Sequence, residues 1–247
     1  MTLGFGTAAL GGGLSARERR RVLETALELG VTYFDTAPLY GAGEAERALG
    51  RVASGRREGI LVATKTGISV SRRRSARLLG PLRRPVARIV RNRVPSHAVG
   101  GRFDPASVRT GLEGSLERLG TDYVDVLLLH EIRAEALSEE LLTELELLIQ
   151  EGKVRRGGIA TGHGPTAAIL ARGTAFPEVV QLAYDSLLPA PRRTLVVHSV
   201  LAGGAHPSPG ARLAEAARTL GDGIVLFGSR NPRHVRETIE QYRAASA

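Results

Sequence analysis

The stretch VDVLLLHEIRAEALSEELLTELELLIQEGKVRRGGIA, Val124–Ala160, decides the fold class. It begins and ends with short β-rich runs, Val124–His130 and Val154–Ala160, which predict β-strands. Between them, Ser138 precedes leucines at helical spacing and Gly152 ends the pattern, which predicts a capped amphipathic helix. A strand, a helix and a second strand in this order predict a parallel sheet covered by helices.

The same alternation runs through the whole chain of 247 residues. Eight strands alternating with helices over this length predict an α/β fold, a closed (β/α)8 TIM barrel, in a single domain over residues 1–247. A doubly wound open sheet is the alternative. The six further β-rich runs are Gly4–Thr7, Thr32–Asp35, Ile60–Lys65, Val179–Ala183, Leu195–Ser199 and Ile224–Phe227.

Three more segments carry signals for the start of a helix. The segment Ser15–Glu18, SARE, fits a capping box and precedes apolar residues at helical spacing. Asp104–Pro105 combines a capping residue with a proline suited to the first helical position. A last helix is predicted from Pro232 towards Tyr242.

Two connections depart from a regular barrel. Asp185–Arg193, between the sixth and seventh strands, is short and contains two prolines, so the sixth helix is expected to be reduced. Residues 66–103, after the third strand, are predicted to form a long arginine-rich loop or lid within the barrel domain. Loops of this length are uncommon and usually serve a function or stay disordered.

The composition excludes several classes of protein. The chain contains no cysteine, so disulfides, thiolate nucleophiles and cysteine-ligated metals are ruled out. The six histidines are scattered, and no second histidine follows His130 at helical spacing, so no metal site is predicted. No apolar run approaches the roughly 20 residues that cross a bilayer. The N-terminus has no basic region, which leaves a soluble cytoplasmic protein as the expectation.

The positive charge is concentrated in one segment. The net charge is +9, and no acidic residue lies between Glu58 and Asp104. The segment Ser71–Val99 has three interpretations: a solvated lid, an electrostatic funnel for an anionic substrate, or a surface for nucleic acid or membrane. Its prolines and its lack of interleaved aromatics argue against nucleic acid. Its apolar turn is too short for membrane attachment, so neither partner is predicted.

Four ionisable residues fall at the carboxyl ends of consecutive predicted strands, where TIM barrels carry their chemistry. Asp35 ends the second strand, Tyr40 follows in the next loop, Lys65 ends the third and His130 ends the fourth. An ammonium beside a phenol brings the phenol's pKa towards neutrality, as a general acid for a carbonyl oxygen requires. Asp35 is the expected counter-charge of Lys65, and His130 can donate a hydrogen bond to the same oxygen.

Three segments carry a resemblance to a known family. Gly30–Glu44 (GVTYFDTAPLYGAGE) is similar to the signature of the aldo-keto reductases, and Val62–Gly67 and Asp122–His130 resemble the next two family motifs in the same order. The resemblance covers nearly the whole chain. It implies a (β/α)8 barrel, NADPH as the hydride donor, and the four residues above as the catalytic tetrad.

The resemblance also implies where NADPH or NADP+ binds. TIM barrels commonly hold phosphates near their last two strands. The segment after the seventh strand resembles the family's pyrophosphate loop, and the segment after the eighth resembles the part that holds the 2′-phosphate, so NADPH is preferred over NADH. The predicted cofactor residues are Thr161, Gln181, His198, Ser199, Leu201, Gly203, Gly228, Ser229, Arg230 and His234.

The sequence departs from the family pattern in several places. Ala160 and Thr161 stand where the family usually has a Ser-Asn pair that contacts the nicotinamide carboxamide, and His198 replaces an aromatic ring that stacks on nicotinamide. The first predicted strand begins almost at Met1, so the usual N-terminal hairpin under the barrel is expected to be missing. A homo-oligomer that covers the exposed flanks is one expectation from these losses.

The predicted function is NADPH-dependent reduction of an aldehyde or ketone to an alcohol, with Tyr40 as the general acid. The expected partner is a small carbonyl compound, anionic if the arginine-rich segment acts as a funnel. The alternatives are NAD(P)+-dependent oxidation of an aldose or alcohol, and redox-neutral dehydration or isomerisation on the same barrel. A non-enzymatic cofactor sensor or scaffold is the alternative from another class, and the complete tetrad argues against it.

Overall fold

Eight parallel strands close into a barrel in a computed structural model of the chain, which describes residues 2–68, 101–202 and 207–247. Each strand pairs with the next in chain order, and the last pairs with the first. The predicted (β/α)8 barrel is confirmed, and the open-sheet alternative is wrong. The strands are β1 (Thr2–Gly6), β2 (Tyr33–Asp35), β3 (Leu61–Thr66), β4 (Val124–His130), β5 (Val154–Ala160), β6 (Val179–Ala183), β7 (Thr194–His198) and β8 (Ile224–Phe227).

Helices cover the outside of the barrel, and their predicted starts are confirmed. Ser15 and Glu18 form the capping box of the first helix, and Asp104 accepts a hydrogen bond from the Ser107 amide at 2.9 Å. None of the described helices is long and apolar enough to cross a membrane. They are α1 (Ala16–Glu28), α2 (Glu44–Ala53), α3 (Pro105–Leu119), α4 (Glu139–Gln150), α5 (His163–Leu170), α6 (Pro209–Leu220) and α7 (Pro232–Ser246).

Small differences from the sequence expectations lie at element ends and in one connection. Strand β1 begins at Thr2, two residues earlier than predicted, and Thr7 belongs to a 3₁₀ turn over Thr7–Leu10. The connection between β6 and β7 contains only a 3₁₀ turn, Tyr184–Ser186, as its short, proline-containing sequence predicts. The arginine-rich segment falls almost wholly in residues 69–100, outside the described residues.

The barrel interior is filled in two levels. A buried apolar level includes Tyr33, Ala63, Leu128, Val179 and Val196. Because side chains alternate between the two faces of a strand, the residue two positions later faces the interior again, nearer the carboxyl end. On five strands that residue is polar: Asp35, Lys65, His130, Gln181 and His198. The strand period therefore places a polar level directly above an apolar floor.

Candidate active site

A cleft of about 440 Å³ opens above the polar level, at the carboxyl end of the barrel. The four predicted catalytic residues line it together, as do five of the predicted cofactor residues: Thr161, Gln181, His198, Ser199 and Gly228. A larger pocket of about 570 Å³ lies between α2 and α3, and its lining includes none of these residues. Because the predicted site residues line the cleft in the barrel mouth and not this pocket, the cleft is the better candidate.

Lys65 is fully buried and forms an ion pair with Asp35. Its ammonium also donates a hydrogen bond to the Thr36 carbonyl oxygen at 3.0 Å. Burial acts to lower the pKa of Lys65, but the Asp35 carboxylate and the Tyr40 phenol outweigh it and raise that pKa above the ordinary value. The cleft therefore holds a positive charge at its base at neutral pH.

The Tyr40 ring lies against this ammonium, with the Lys65 Nζ 5.1 Å from the ring centroid. Burial raises the pKa of Tyr40, and the Lys65 charge opposes the rise without reversing it. Lys65 therefore acts in the expected direction, but the net shift of the Tyr40 pKa is away from neutrality. Desolvation of the phenolate outweighs the attraction of one ammonium that is already paired with Asp35. The phenol keeps its proton, as a general acid must before the reaction.

The loop that carries Tyr40 is held by a close approach to the loop after β1. Gly41 has φ +65°, and a Cβ there would lie 2.4 Å from the Gly11 carbonyl oxygen. Only glycine fits this position, because both the backbone conformation and the space exclude a side chain. The Tyr40 amide donates to the Ala37 carbonyl oxygen at 3.0 Å and tightens the same turn. These contacts fix the phenol at the edge of the cleft.

His130, the last residue of β4, is half-buried in the cleft wall. Burial lowers the pKa of His130 to about 3, and the positive charge of Lys65 and the His198 ring act in the same direction. The imidazole is therefore neutral at physiological pH. A neutral imidazole offers one N–H, which suits it to hydrogen-bond an oxygen in the cleft rather than to supply a charge.

Two of the predicted cofactor residues present polar atoms without partners. The Thr161 hydroxyl and the Gln181 side-chain carbonyl oxygen are buried and make no hydrogen bond in the described structure. Buried polar groups in native proteins are normally paired, so two unpaired groups lining one cleft indicate a polar ligand. Next to them, His198 and Ser199 are hydrogen-bonded to each other at 2.8 Å.

The predicted phosphate residues lie beyond the cleft, at the amino end of α7. Ser229 and Arg230 lie in the loop before this helix, and His234 is exposed in its first turn. The Arg230 guanidinium lies against Gly13, where a Cβ would be 2.9 Å from its Nη2. A helix amino end with nearby cations suits a phosphate. The structure does not bring Leu201 to the cleft lining; it packs against the outer core, and Gly203 lies outside the described residues.

Glu131 was not among the predicted site residues. It lines the cleft, directly after His130, and has φ +57°. Its position directly after a predicted catalytic residue was the signal that could have identified it. In the described part of the chain, no group of three metal-ligating side chains comes together.

Comparison with known sequences identifies the family of the chain. The model of the aldo/keto reductase family matches residues 2–198, so the chain belongs to this family. The oxidoreductase YqkF of Bacillus subtilis is 32% identical over 161 residues, 64% of this chain and 44% of that protein. D-threo-aldose 1-dehydrogenase of a Pseudomonas species is 35% identical over 171 residues, 64% of this chain and 49% of that protein. The chain thus spans less than half the length of these relatives.

Solved structures share the fold. The aldo-keto reductase PA4992 from Pseudomonas aeruginosa has a TM-score of 0.74 at 22% identity, covering 99% of this chain and 90% of that one. The holo form of the aldo-keto reductase AKR11C1 from Bacillus halodurans has a TM-score of 0.72 at 20% identity, covering 99% and 89%. At these identities the similarities concern the barrel fold alone.

Proposed function

We propose that the protein is an NADP(H)-dependent oxidoreductase that reduces an aldehyde or ketone to an alcohol. The observation that carries the proposal is the convergence of Asp35, Tyr40, Lys65 and His130 on one cleft. They supply a protonated phenol, a buried ammonium and a neutral imidazole, which are the groups that carbonyl reduction requires. Membership of the aldo/keto reductase family supports the same reaction class.

Each of the four residues has a separate role in the proposed proton transfer. Tyr40 donates its proton to the carbonyl oxygen as negative charge develops there, and His130 donates a hydrogen bond to the same oxygen. Lys65 stabilises the phenolate that remains, since its ammonium lies 5.1 Å from the ring centroid in a buried site. Asp35 holds that ammonium in place. When bound, NADPH supplies the hydride to the carbonyl carbon.

The described residues fit a nicotinamide cofactor. The unpartnered groups of Thr161 and Gln181 suit the polar carboxamide of a nicotinamide ring. Ser229, Arg230 and His234 would hold the 2′-phosphate at the amino end of α7, which favours NADPH over NADH. Isothermal titration of the protein with NADPH and then NADH tests this. Micromolar or tighter binding of NADPH, well ahead of NADH, supports the proposal, and binding of neither refutes it.

Replacing Arg230 by alanine is expected to weaken NADPH binding about tenfold to a hundredfold and to leave NADH binding unchanged. A charge-assisted hydrogen bond to phosphate is worth about 1.5–3 kcal/mol. NADH has no 2′-phosphate, so its complex contains no such bond that the substitution could remove. Titration calorimetry measures both constants. Arg236→Ala, the same charge change at an exposed position of α7, is the control. Equal losses of affinity for NADPH and NADH would show that Arg230 does not bind the 2′-phosphate.

Oxidation of an aldose or alcohol is the second candidate, because a 35% identical relative is named an aldose 1-dehydrogenase. The same groups run the reverse reaction, with Tyr40 as the base and Lys65 stabilising its phenolate. Incubation with NADP+ and sugars, read as absorbance of the reduced cofactor, distinguishes the directions by rate. Stoichiometric use of cofactor in either direction excludes redox-neutral dehydration or isomerisation.

The substrate, the domain organisation and the oligomeric state stay predictions. A small carbonyl compound is the partner, and an anionic one is expected only if the arginines within residues 69–100 act as a funnel. A single barrel domain over residues 1–247 and a homo-oligomer stay predictions, and light scattering of the purified chain measures the oligomeric state.

A further inference from the structure

Glu131 is held at the mouth of the barrel by an uncommon backbone conformation. Its φ of +57° is in the left-handed region, which is unfavourable for residues with a Cβ. Its amide donates to the Ala160 carbonyl oxygen at 2.8 Å, which ties the end of β4 to the end of β5. Such conformations persist where the surrounding structure holds them, and they cluster at ligand sites. The strain falls on a half-buried carboxyl that lines the cleft.

The surroundings of this carboxyl are polar and incompletely paired. Glu131 and Thr161 line the same cleft. Burial raises the pKa of Glu131, and Thr161 acts in the opposite direction. Neither the Thr161 hydroxyl nor the Gln181 side-chain oxygen has a hydrogen-bond partner in the described structure. Glu131 and Thr161 directly follow β4 and β5, and Gln181 lies within β6. The three strands are adjacent, and all three side chains line the cleft.

Their hydrogen-bonding groups complement a primary carboxamide. A carboxamide has two N–H donors and one carbonyl acceptor. The Gln181 oxygen and the Glu131 carboxyl are acceptors, and the Thr161 hydroxyl is a donor. We propose that Glu131 is a cofactor-positioning residue that accepts a hydrogen bond from the carboxamide N–H of nicotinamide, beside Thr161 and Gln181. This inference rests on the proposed function, since it requires a nicotinamide cofactor in the cleft.

Few polar side-chain atoms line the cleft at the end of β5. Ala160 offers no polar side-chain atom there, and Thr161 alone offers a single hydroxyl. A carboxyl from the end of β4 supplies the missing acceptor from the neighbouring strand. The alternative role for Glu131 is contact with a hydroxyl of the substrate, and binding of the cofactor without substrate separates the two roles.

Titration calorimetry with NADP+ and with its 3-acetylpyridine analogue tests the proposal, because the acetyl group has the carbonyl but no N–H. We expect the wild type to bind NADP+ at least about tenfold tighter than the analogue. Glu131→Leu is expected to weaken NADP+ binding at least about fivefold and to change analogue binding less than about twofold. Glu131→Gln, which keeps an acceptor oxygen, is expected to retain most of the preference for NADP+.

Glu135→Leu, at an exposed position outside the cleft, removes the same group and serves as the control, and thermal melting checks that each variant is folded. Equal binding of the two nucleotides by the wild type overturns the proposal, and this arm needs no substitution. Equal weakening of both by Glu131→Leu, or no change in either, overturns it too. A changed preference among aldehydes with unchanged NADP+ binding assigns Glu131 to the substrate instead. If the wild type binds neither nucleotide, the proposed function itself fails.

Discussion

Replacing Tyr40 by phenylalanine is expected to lower kcat for NADPH-dependent carbonyl reduction by about 10²–10⁴-fold. The substitution removes only the hydroxyl that donates the proton, and it leaves the ring beside Lys65. The affinity for NADPH should stay within about twofold, because no cofactor contact is assigned to that hydroxyl. Steady-state rates with an aldehyde panel, together with calorimetry, measure the two effects separately.

Tyr242→Phe is the matched control, since it removes the same hydroxyl from a half-buried tyrosine of α7, away from the cleft lining. Its kcat should equal that of the wild type. A Tyr40→Phe variant with a rate within about tenfold of the wild type would show that another group protonates the oxygen, because general acid catalysis by the phenol would be absent.

Replacing Lys65 by methionine is expected to lower the free energy of unfolding by about 3–5 kcal/mol and to abolish most activity. The Asp35 carboxylate would stay buried without its ion-pair partner, while the Thr36 carbonyl would lose the hydrogen bond that it now receives. Urea unfolding followed by circular dichroism measures the stability.

The double variant Lys65→Met/Asp35→Asn separates stability from chemistry. It removes the stranded carboxylate, so we expect it to recover much of the unfolding free energy, because an uncharged buried pair avoids the desolvation cost of an isolated charge. It should not recover kcat, since no ammonium remains to stabilise the phenolate. A double variant no more stable than Lys65→Met would show that the loss does not come from the buried Asp35 charge.

The barrel and the grouping of polar side chains were predictable because both follow from strand periodicity. Asp35, Lys65 and His130 end or nearly end apolar strands, and the carboxyl ends of parallel strands in a barrel meet at one mouth. The phosphate segment was assigned by its position after β8, and that assignment stays a prediction. Short-range signals also defined helix starts such as Ser15, because a capping box satisfies local backbone amides.

Properties that depend on the three-dimensional surroundings were not predictable in the same way. The pKa of Tyr40 moves upward because the phenol is buried, and no local pattern states how deeply a loop residue lies. Glu131 turns into the cleft through a left-handed backbone that its residue type does not favour. Leu201 packs against the outer core, although its motif suggests a cofactor contact.

The two-level interior of the barrel links catalysis to correct strand pairing. On β3, Ala63 faces the apolar floor and Lys65 faces the polar level, and the same spacing relates Leu128 to His130 on β4. A slip of one residue in either strand would turn its charged or polar group outward and its neighbour inward. A misaligned barrel would therefore lose the proposed reaction even when it stays compact. Specific activity would then report the fraction of molecules with correctly paired strands. Spectra of secondary structure alone would overestimate that fraction.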